Sequence, residues 1–235
     1  MNFALHCVLF DLDGTLVDTA PDLGGAANLV RAELGLPPLP LAQYRPVASA
    51  GARGLLGVAL GIAPAHADFP ARSESFLRHY RANICRASVL FDGVAELLAL
   101  LEQRGIRWGV VTNKPAWLTR PLMDELHLSS RAACVVSGDD VPRPKPAPDA
   151  ILLACTQAAL KPADCIYVGD DKRDIDAGRA AGLVTVAVEW GYLGENGAIE
   201  TWQADAIVRT PSELASLIAS PARDTGFCEI IDSTR

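Results

Sequence analysis

The amino-acid sequence predicts an α/β protein with a doubly wound, Rossmann-like parallel sheet and an inserted, all-helical cap domain. Short runs rich in β-branched and apolar residues alternate with helical patterns, which is the order of a parallel sheet covered by helices. One long segment, residues 19–88, contains helical patterns only. Several of the apolar runs also end abruptly in acidic or small polar residues.

Six short apolar runs, bounded by glycine, proline or polar residues, are predicted as strands of the core. They lie at residues 5–10, 107–111, 133–137, 165–168, 183–188 and 206–208. Helices are predicted between them at residues 94–104, 147–160 and 175–181, and the first and last of these stop at a glycine. The α/β core is therefore assigned to residues 1–18 and 89–220.

The segment 19–88 interrupts this alternation. Helical patterns lie at 22–34, 41–47, 53–60 and 71–84, with prolines between them. Because the segment directly follows the first strand, we expect it to lie over the carboxyl edge of the sheet as a cap. Residues 221–235 show no periodicity and are expected to form a disordered tail.

Composition excludes several classes of protein. Half of the residues are hydrophobic, which is enough for a large core, and the formal charge is −7 with a pI near 5.1. An acidic chain argues against nucleic-acid and anionic-membrane partners. No transmembrane run or signal pattern is present, and the six cysteines form no C-x-x-C pair. A cytoplasmic protein is expected, either a monomer or a homodimer.

The first strand ends in D-L-D-G-T, which places Asp11 and Asp13 at the edge where open α/β folds bind ligands. Two carboxylates so close together repel unless a cation or a proton lies between them. The pair therefore indicates a metal site, in which Asp11 can attack phosphorus and Asp13 can transfer protons. Taken alone, the motif also fits a solvated turn.

Two further positions carry groups suited to phosphate. Thr112 and Asn113 follow the second core strand, and their polar groups with the main-chain N–H groups can hold phosphate oxygens. By themselves they also fit a helix cap. Lys145 lies between Pro144 and Pro146, which stiffen the main chain around a cation. A solvated surface lysine is the simpler interpretation of Lys145 alone.

A third strand end again brings two acids together. Asp170 follows the strand at 165–168, and Asp174 lies four residues later, near a predicted helix start. The two can converge on one hard cation, and carboxylate oxygens suit Mg²⁺. The simpler alternative is that Asp174 only offsets the helix dipole.

These pieces, in this order, resemble the four motifs of the haloacid dehalogenase-like superfamily: D-L-D-G-T, Thr112, Lys145 and G-D-D-K-R-D. The resemblance runs from Val8 to about Leu217. Within the superfamily the chain is most similar to the phosphoglycolate phosphatase group, through D-T-A-P-D-L, T-N-K-P and the helical segment. The W-G-Y-L-G sequence near the end also resembles the N-acetylmuramic acid 6-phosphate phosphatases. The motifs do not separate these two groups.

The resemblance implies a Mg²⁺-dependent phosphatase acting on a small phosphorylated metabolite, 2-phosphoglycolate first, with N-acetylmuramic acid 6-phosphate or another sugar phosphate as the alternative. Asp11 would form an aspartyl-phosphate, and Asp13 would protonate the leaving alkoxide and then activate water. The Mg²⁺ ligands would be the Asp11 carboxylate, the Asp13 main-chain carbonyl and Asp170, with Asp174 bound directly or through water. The phosphate oxygens would be held by Thr112, Asn113 and Lys145.

Arg53, in S-A-G-A-R of the predicted cap, is the candidate for substrate selection, because a guanidinium can pair with a substrate carboxylate. A solvated surface arginine explains it equally well.

Three rival functions differ from this one at the motifs. Phosphomutases of this group usually carry valine where Thr15 stands, dehalogenases usually lack the second acid, Asp13, and a non-catalytic phosphate-binding protein is expected to lack a motif acid.

Overall fold

The computed structural model describes residues 5–194 and 197–219. The strands are β1 (Cys7–Phe10), β2 (Val17–Asp18), β3 (Val89–Leu90), β4 (Arg107–Val111), β5 (Val135–Val136), β6 (Cys165–Gly169), β7 (Val184–Val188) and β8 (Ala206–Val208). Six of them form one fully parallel sheet in the order β5-β4-β1-β6-β7-β8. The predicted α/β class with a doubly wound parallel sheet is confirmed.

Helices connect the strands. They are α1 (Ala20–Glu33), α2 (Leu41–Tyr44), α3 (Gly51–Leu60), α4 (Phe69–Ala82), α5 (Val94–Gln103), α6 (Ala116–Glu125), α7 (Asp149–Gln157), α8 (Lys172–Ala180) and α9 (Pro211–Ala219). Among the described residues, no helix combines the length and apolarity needed to cross a bilayer.

The central strand β1 is buried on both faces, as parallel sheets require. Its side chains alternate between two hydrophobic clusters, Val8 and Phe10 on one face and Cys7 and Leu9 on the other. This explains why the strand reads as a continuous apolar run rather than as a polar and apolar alternation.

The elements between β2 and β3 are all helices joined by short loops, and they supply most of one hydrophobic cluster, including Leu23, Leu56 and Phe76. We call residues 19–88 the helical insertion. Proline stands in the first turn of both α1 and α4, where its missing N–H costs nothing. Both helices therefore start two residues earlier than predicted. The pattern predicted as one helix at 41–47 divides into α2 and the 3₁₀ segment Arg45–Ala50.

The two connections between the core and the insertion run side by side. Strands β2 and β3 form an antiparallel pair, with Val17 opposite Leu90. Behind them the Asp22 carboxylate of α1 accepts hydrogen bonds from the Ala87 amide and from both the amide and the hydroxyl of Ser88. Both chain crossings are thus anchored at one place.

Some predicted boundaries differ from the structure. The first strand starts at Cys7 rather than at Leu5, and the run at 133–137 forms only the short β5. Helices α6 and α9 were not predicted. The expected disordered tail at 221–235 lies outside the described residues.

Candidate active site

The site lies at the carboxyl ends of β1, β4 and β6, which are neighbours in the sheet. Asp11, Thr112 and Asp170 are each the first residue after one of these strands. Close approach of the loops depends on Gly14, which has a φ of +93°. A Cβ at this position would lie 2.2 Å from Oδ2 of Asp170, so only glycine lets the two loops meet.

Three buried carboxylates converge at this edge. Oxygen atoms of Asp11, Asp170 and Asp174 all lie within 4.8 Å of one another. Asp170 is fixed through both oxygens, since the Thr15 hydroxyl donates to Oδ1 and the Tyr192 amide donates to Oδ2, each at 2.8 Å.

Asp174 is fixed by the start of α8. The residue occupies the third position of the helix, and its Oδ2 accepts a hydrogen bond of 3.1 Å from the Asp171 amide. The Asp171 side chain accepts in turn from the Arg173 amide, which completes a capping box. Asp174 thus caps the start of α8 and also lies close to the other two acids, so its helix-start role is observed and its contact with a metal stays a prediction.

The crowding of these acids shifts their protonation. Burial, and then the charges of Asp11 and Asp174, raise the pKa of Asp170 well above its usual range. Burial also raises the pKa of Asp174 to about 7, although the Lys145 ammonium opposes the shift. An all-oxygen set of buried, mutually repelling carboxylates fits a hard divalent cation such as Mg²⁺.

Lys145 supplies a positive charge inside the cluster. Its Nζ lies 2.8 Å from Asp11 and 2.6 Å from Asp174, and it donates to the Val111 carbonyl and the Tyr167 hydroxyl. Burial disfavours the ammonium, but the two carboxylates outweigh burial and raise the pKa of Lys145. The lysine is therefore charged and held in place.

The Asn113 side chain holds the main chain of Lys145. Its Nδ2 donates to the Lys145 carbonyl and its Oδ1 accepts from the Lys145 amide, both at 2.9 Å. The peptide bond between Lys145 and Pro146 is cis. The amide group of Asn113 is thus engaged by protein, and its predicted contact with phosphate stays a prediction.

The Asp13 side chain lies apart from the three clustered carboxylates. Its Oδ1 accepts hydrogen bonds from the Thr19 hydroxyl and from Nζ of Lys114, the latter at 2.8 Å. Lys114 follows Thr112 and Asn113 directly, and its Nζ also lies 4.5 Å from the centre of the Tyr80 ring. Burial opposes the charge on Lys114, but Asp13 outweighs it and raises the pKa of the ammonium.

A cavity of about 220 Å³ separates the core from the helical insertion. The core side carries charged and polar groups, and the insertion contributes mainly apolar ones, including Leu23, Phe76 and Leu77. Arg173 closes one side, because its guanidinium binds both oxygens of Asp171 and donates to the Ser49 carbonyl at 3.0 Å.

Most of the predicted site residues meet at this cavity. Its walls include Asp11, Asp13, Thr112, Asn113, Lys145 and Asp174, and Asp170 lies behind them against Thr15. Arg53 is not brought there: it is exposed and lines an adjacent cleft of about 560 Å³. Its predicted contact with substrate stays a prediction.

Sequence reasoning did not assign roles to Lys114, Arg173 or Tyr167. Lys114 and Arg173 belong to the motif sequences T-N-K-P and G-D-D-K-R-D, so their position beside Thr112 and Asp174 was a usable signal. Tyr167 lies inside β6, and its sequence position gives no sign that its hydroxyl reaches Lys145.

Comparison with known proteins gives one consistent family. A family model described as haloacid dehalogenase-like hydrolase matches residues 8–188. A phosphoglycolate phosphatase from Xanthomonas campestris pv. campestris is 44% identical over 92% of this chain and 97% of its own length. An N-acetylmuramic acid 6-phosphate phosphatase from Pseudomonas aeruginosa is 41% identical over 96% and 97% of the two chains.

Solved structures agree with the fold. The crystal structure of a predicted phosphoglycolate phosphatase from Haemophilus somnus superposes with a TM-score of 0.79 at 27% sequence identity. The superposition covers 91% of this chain and 97% of that one.

Proposed function

Because this chain belongs to the haloacid dehalogenase-like hydrolase family, we propose that it is a Mg²⁺-dependent phosphatase of small organic phosphate monoesters. The observation that carries the proposal is the convergence of Asp11, Asp170 and Asp174 within 4.8 Å at the base of the cavity. Bound there, Mg²⁺ would be held by these carboxylates and the Asp13 carbonyl, and it would neutralise the charge of the transferring phosphoryl group.

Asp11 is the proposed nucleophile. It is buried at the end of β1 and opens into the cavity, so it can attack phosphorus in line and form an aspartyl-phosphate. At about 4 Å, two unit negative charges repel by about 4 kcal/mol at an effective dielectric constant of about 20. Lys145, in contact with Asp11, offsets part of that repulsion, and Thr112 and Asn113 flank the same space.

Asp13 is the proposed proton carrier. Its side chain lies on the cavity wall, outside the carboxylate cluster, which suits a group that exchanges protons with the leaving oxygen and then with water. Thr19 and Lys114 fix its orientation. The carboxylate must carry a proton when the alkoxide departs, and it must be ionised when it activates the hydrolytic water.

Residues 19–88 act in this proposal as a cap over the site. Their apolar side chains form the wall opposite the carboxylates and would exclude water from the phosphoryl group.

We also propose a cytoplasmic location, in keeping with the free thiols of Cys7, Cys134 and Cys155.

The favoured substrate is 2-phosphoglycolate. A cavity of about 220 Å³ is smaller than the roughly 300–1,000 Å³ of sites for drug-sized ligands, which favours a compact phosphate ester. N-acetylmuramic acid 6-phosphate is the second candidate, because the cleft lined by Arg53 and Arg173 adjoins the cavity and could take the rest of a larger molecule.

A parallel assay of phosphate release tests the proposal. The protein would be given 2-phosphoglycolate, N-acetylmuramic acid 6-phosphate, glucose 6-phosphate and p-nitrophenyl phosphate, each with Mg²⁺ and with EDTA. We expect Mg²⁺-dependent hydrolysis, with the highest kcat/KM on 2-phosphoglycolate. No hydrolysis of any ester would contradict the proposed function, and a higher kcat/KM on the muramic acid ester would favour the second candidate.

A further inference from the structure

Lys114 is a buried cation on the wall of the active-site cavity. Its side chain is only 6% exposed, and its Nζ lies between Asp13 of the core and the Tyr80 ring of the helical insertion. The lysine comes directly before Pro115, the residue that caps α6, so its main chain is held by a strand on one side and a helix on the other. Lys114 is therefore a fixed positive charge.

The other two cations that line the cavity contact acids other than Asp13. Lys145 contacts Asp11 and Asp174, and Arg173 binds both oxygens of Asp171. Lys114 instead contacts Asp13, the residue that faces the leaving group in the proposed reaction. A charge in this position lies beside the part of the substrate that departs, not beside the phosphoryl group.

The number of bonds between the leaving oxygen and the carboxylate of a substrate determines whether that carboxylate can reach Lys114. The leaving oxygen must approach Asp13 to receive a proton, and Nζ of Lys114 is 2.8 Å from Asp13. In 2-phosphoglycolate the carboxylate carbon is attached to the carbon that carries this oxygen. In N-acetylmuramic acid 6-phosphate the carboxylate is several bonds further away, across the sugar ring.

We propose that Lys114 is a specificity-determining residue that binds a carboxylate attached directly to the ester carbon of the leaving group. The proposal rests on the phosphatase function proposed above and narrows its substrates to phosphate esters of 2-hydroxy acids. Arg53, the cation expected from the sequence to select the substrate, is exposed in the adjacent cleft and serves as the comparison residue.

The effect of the substrate carboxylate is measured by comparing two phosphate esters of nearly equal size, of which only one carries that carboxylate. Ethyl phosphate has a methyl group where 2-phosphoglycolate has its carboxylate, and both present the same phosphoryl group and leaving oxygen. The measurement is kcat/KM on each ester for the wild type and for Lys114→Met, which keeps the length of the side chain and removes its charge. We expect the preference for 2-phosphoglycolate over ethyl phosphate to fall by at least about tenfold, the usual effect of one lost charge-assisted hydrogen bond.

Lys114→Arg and Arg53→Ala are the matched variants. Lys114→Arg retains a cation and should keep most of the preference, while Arg53→Ala should leave the ratio of the two kcat/KM values unchanged. Thermal unfolding of each variant shows whether it folds, and the ratio within one variant is independent of the folded fraction.

The outcomes separate the two proposals. If Lys114→Met lowers kcat/KM on both esters by the same factor, the lysine only positions Asp13 and the specificity role is wrong, although the phosphatase function stands. A loss of preference in Arg53→Ala but not in Lys114→Met would move the carboxylate site to the cleft. A wild-type protein that hydrolyses neither of these two esters but hydrolyses N-acetylmuramic acid 6-phosphate or p-nitrophenyl phosphate would overturn this role alone, whereas one that hydrolyses no ester would overturn the proposed function as well.

Discussion

The main-chain amide of Tyr192 donates a 2.8 Å hydrogen bond to Oδ2 of Asp170, while the hydroxyl of the same tyrosine donates to Asp18 at 2.9 Å. One residue thereby connects a carboxylate of the acidic cluster with β2, the first connection to the helical insertion. Trp190 adds a third contact, since its indole N–H donates to the Thr15 carbonyl. The W-G-Y sequence thus braces the loop that follows β1.

Gly191→Ala should disturb the metal site without unfolding the protein. A Cβ at Gly191 would lie 2.2 Å from Cβ of Asp170 and 2.4 Å from the Gly14 carbonyl, so Asp170 must move. We expect the Mg²⁺ concentration for half-maximal activity to rise several-fold, as measured by phosphate release across a Mg²⁺ titration.

Gly25→Ala is the control for this substitution. Gly25 lies inside α1 with no atom within 4 Å of its added Cβ, so alanine should stabilise the helix by roughly 0.5–1 kcal/mol. The Mg²⁺ requirement of this variant should equal that of the wild type. An equal requirement in Gly191→Ala would show that Asp170 tolerates the shift.

Asp11→Asn should abolish turnover and leave the fold intact. The amide keeps the size of the side chain but cannot attack phosphorus, and Lys145 retains Asp174 as a carboxylate partner. We expect kcat on p-nitrophenyl phosphate to fall by at least about a thousandfold. Retention of more than about a tenth of wild-type kcat would rule out covalent catalysis through Asp11.

Chelation should remove the activity, and Mg²⁺ should restore it. Ca²⁺ should substitute poorly, because its larger and looser coordination would misplace the attacking carboxylate. The measurement is phosphate release after EDTA treatment and addition of each cation. Full activity in excess EDTA would contradict the proposed metal site.

Asp170→Asn should stabilise the metal-free protein at neutral pH. The pKa values of Asp170 and Asp174 are raised in the folded state, so the folded protein binds more protons than the unfolded chain. The free energy of unfolding should therefore fall as pH rises from about 4 towards about 7 without metal.

The pH slope provides the measurement for this prediction. The free energy of unfolding is measured by urea denaturation at several pH values. It should change less steeply with pH in metal-free Asp170→Asn than in the metal-free wild type. Added Mg²⁺ should stabilise the wild type more than the variant, because it binds only the folded state. Equal slopes in the two proteins would mean that Asp170 is ionised throughout this range.

Asn113→Ala should reduce stability more than phosphate affinity. The substitution removes both hydrogen bonds to the main chain of Lys145 and should cost about 1–3 kcal/mol of unfolding free energy. Inhibition by inorganic phosphate measures the affinity, and Ser216→Ala on the surface of α9 serves as the control. A large rise in the phosphate inhibition constant with unchanged stability would instead support the predicted phosphate contact.

Sequence patterns located the parts of the molecule that depend on local order. The runs at 107–111 and 206–208 coincide with β4 and β8, and the acids after β1 and β6 lie at the predicted sheet edge. Parallel strands buried on both faces have an unmistakable composition, and the ends of adjacent strands meet by geometry alone.

The contacts that complete the site join distant parts of the chain, and periodicity does not reveal them. Lys114 is 101 positions from Asp13, and Tyr192 is 174 positions from Asp18. Arg53 shows the same limit, because a cation near a predicted helix start does not indicate which side of the helix faces the cavity, and the structure places Arg53 in the adjacent cleft. Side-chain direction in the insertion depends on how its helices pack against one another.

The antiparallel pairing of β2 with β3 would allow the helical insertion to be replaced as a unit. Val17 and Leu90 are ladder partners, so their Cα atoms stand only about 5 Å apart, a gap that a tight turn can close. Everything between them can be lengthened, shortened or transplanted without moving a strand of the central sheet. A catalytic edge built once on β1, β4 and β6 can therefore carry a different insertion, because the two points of exchange are adjacent in space although they lie far apart in the sequence.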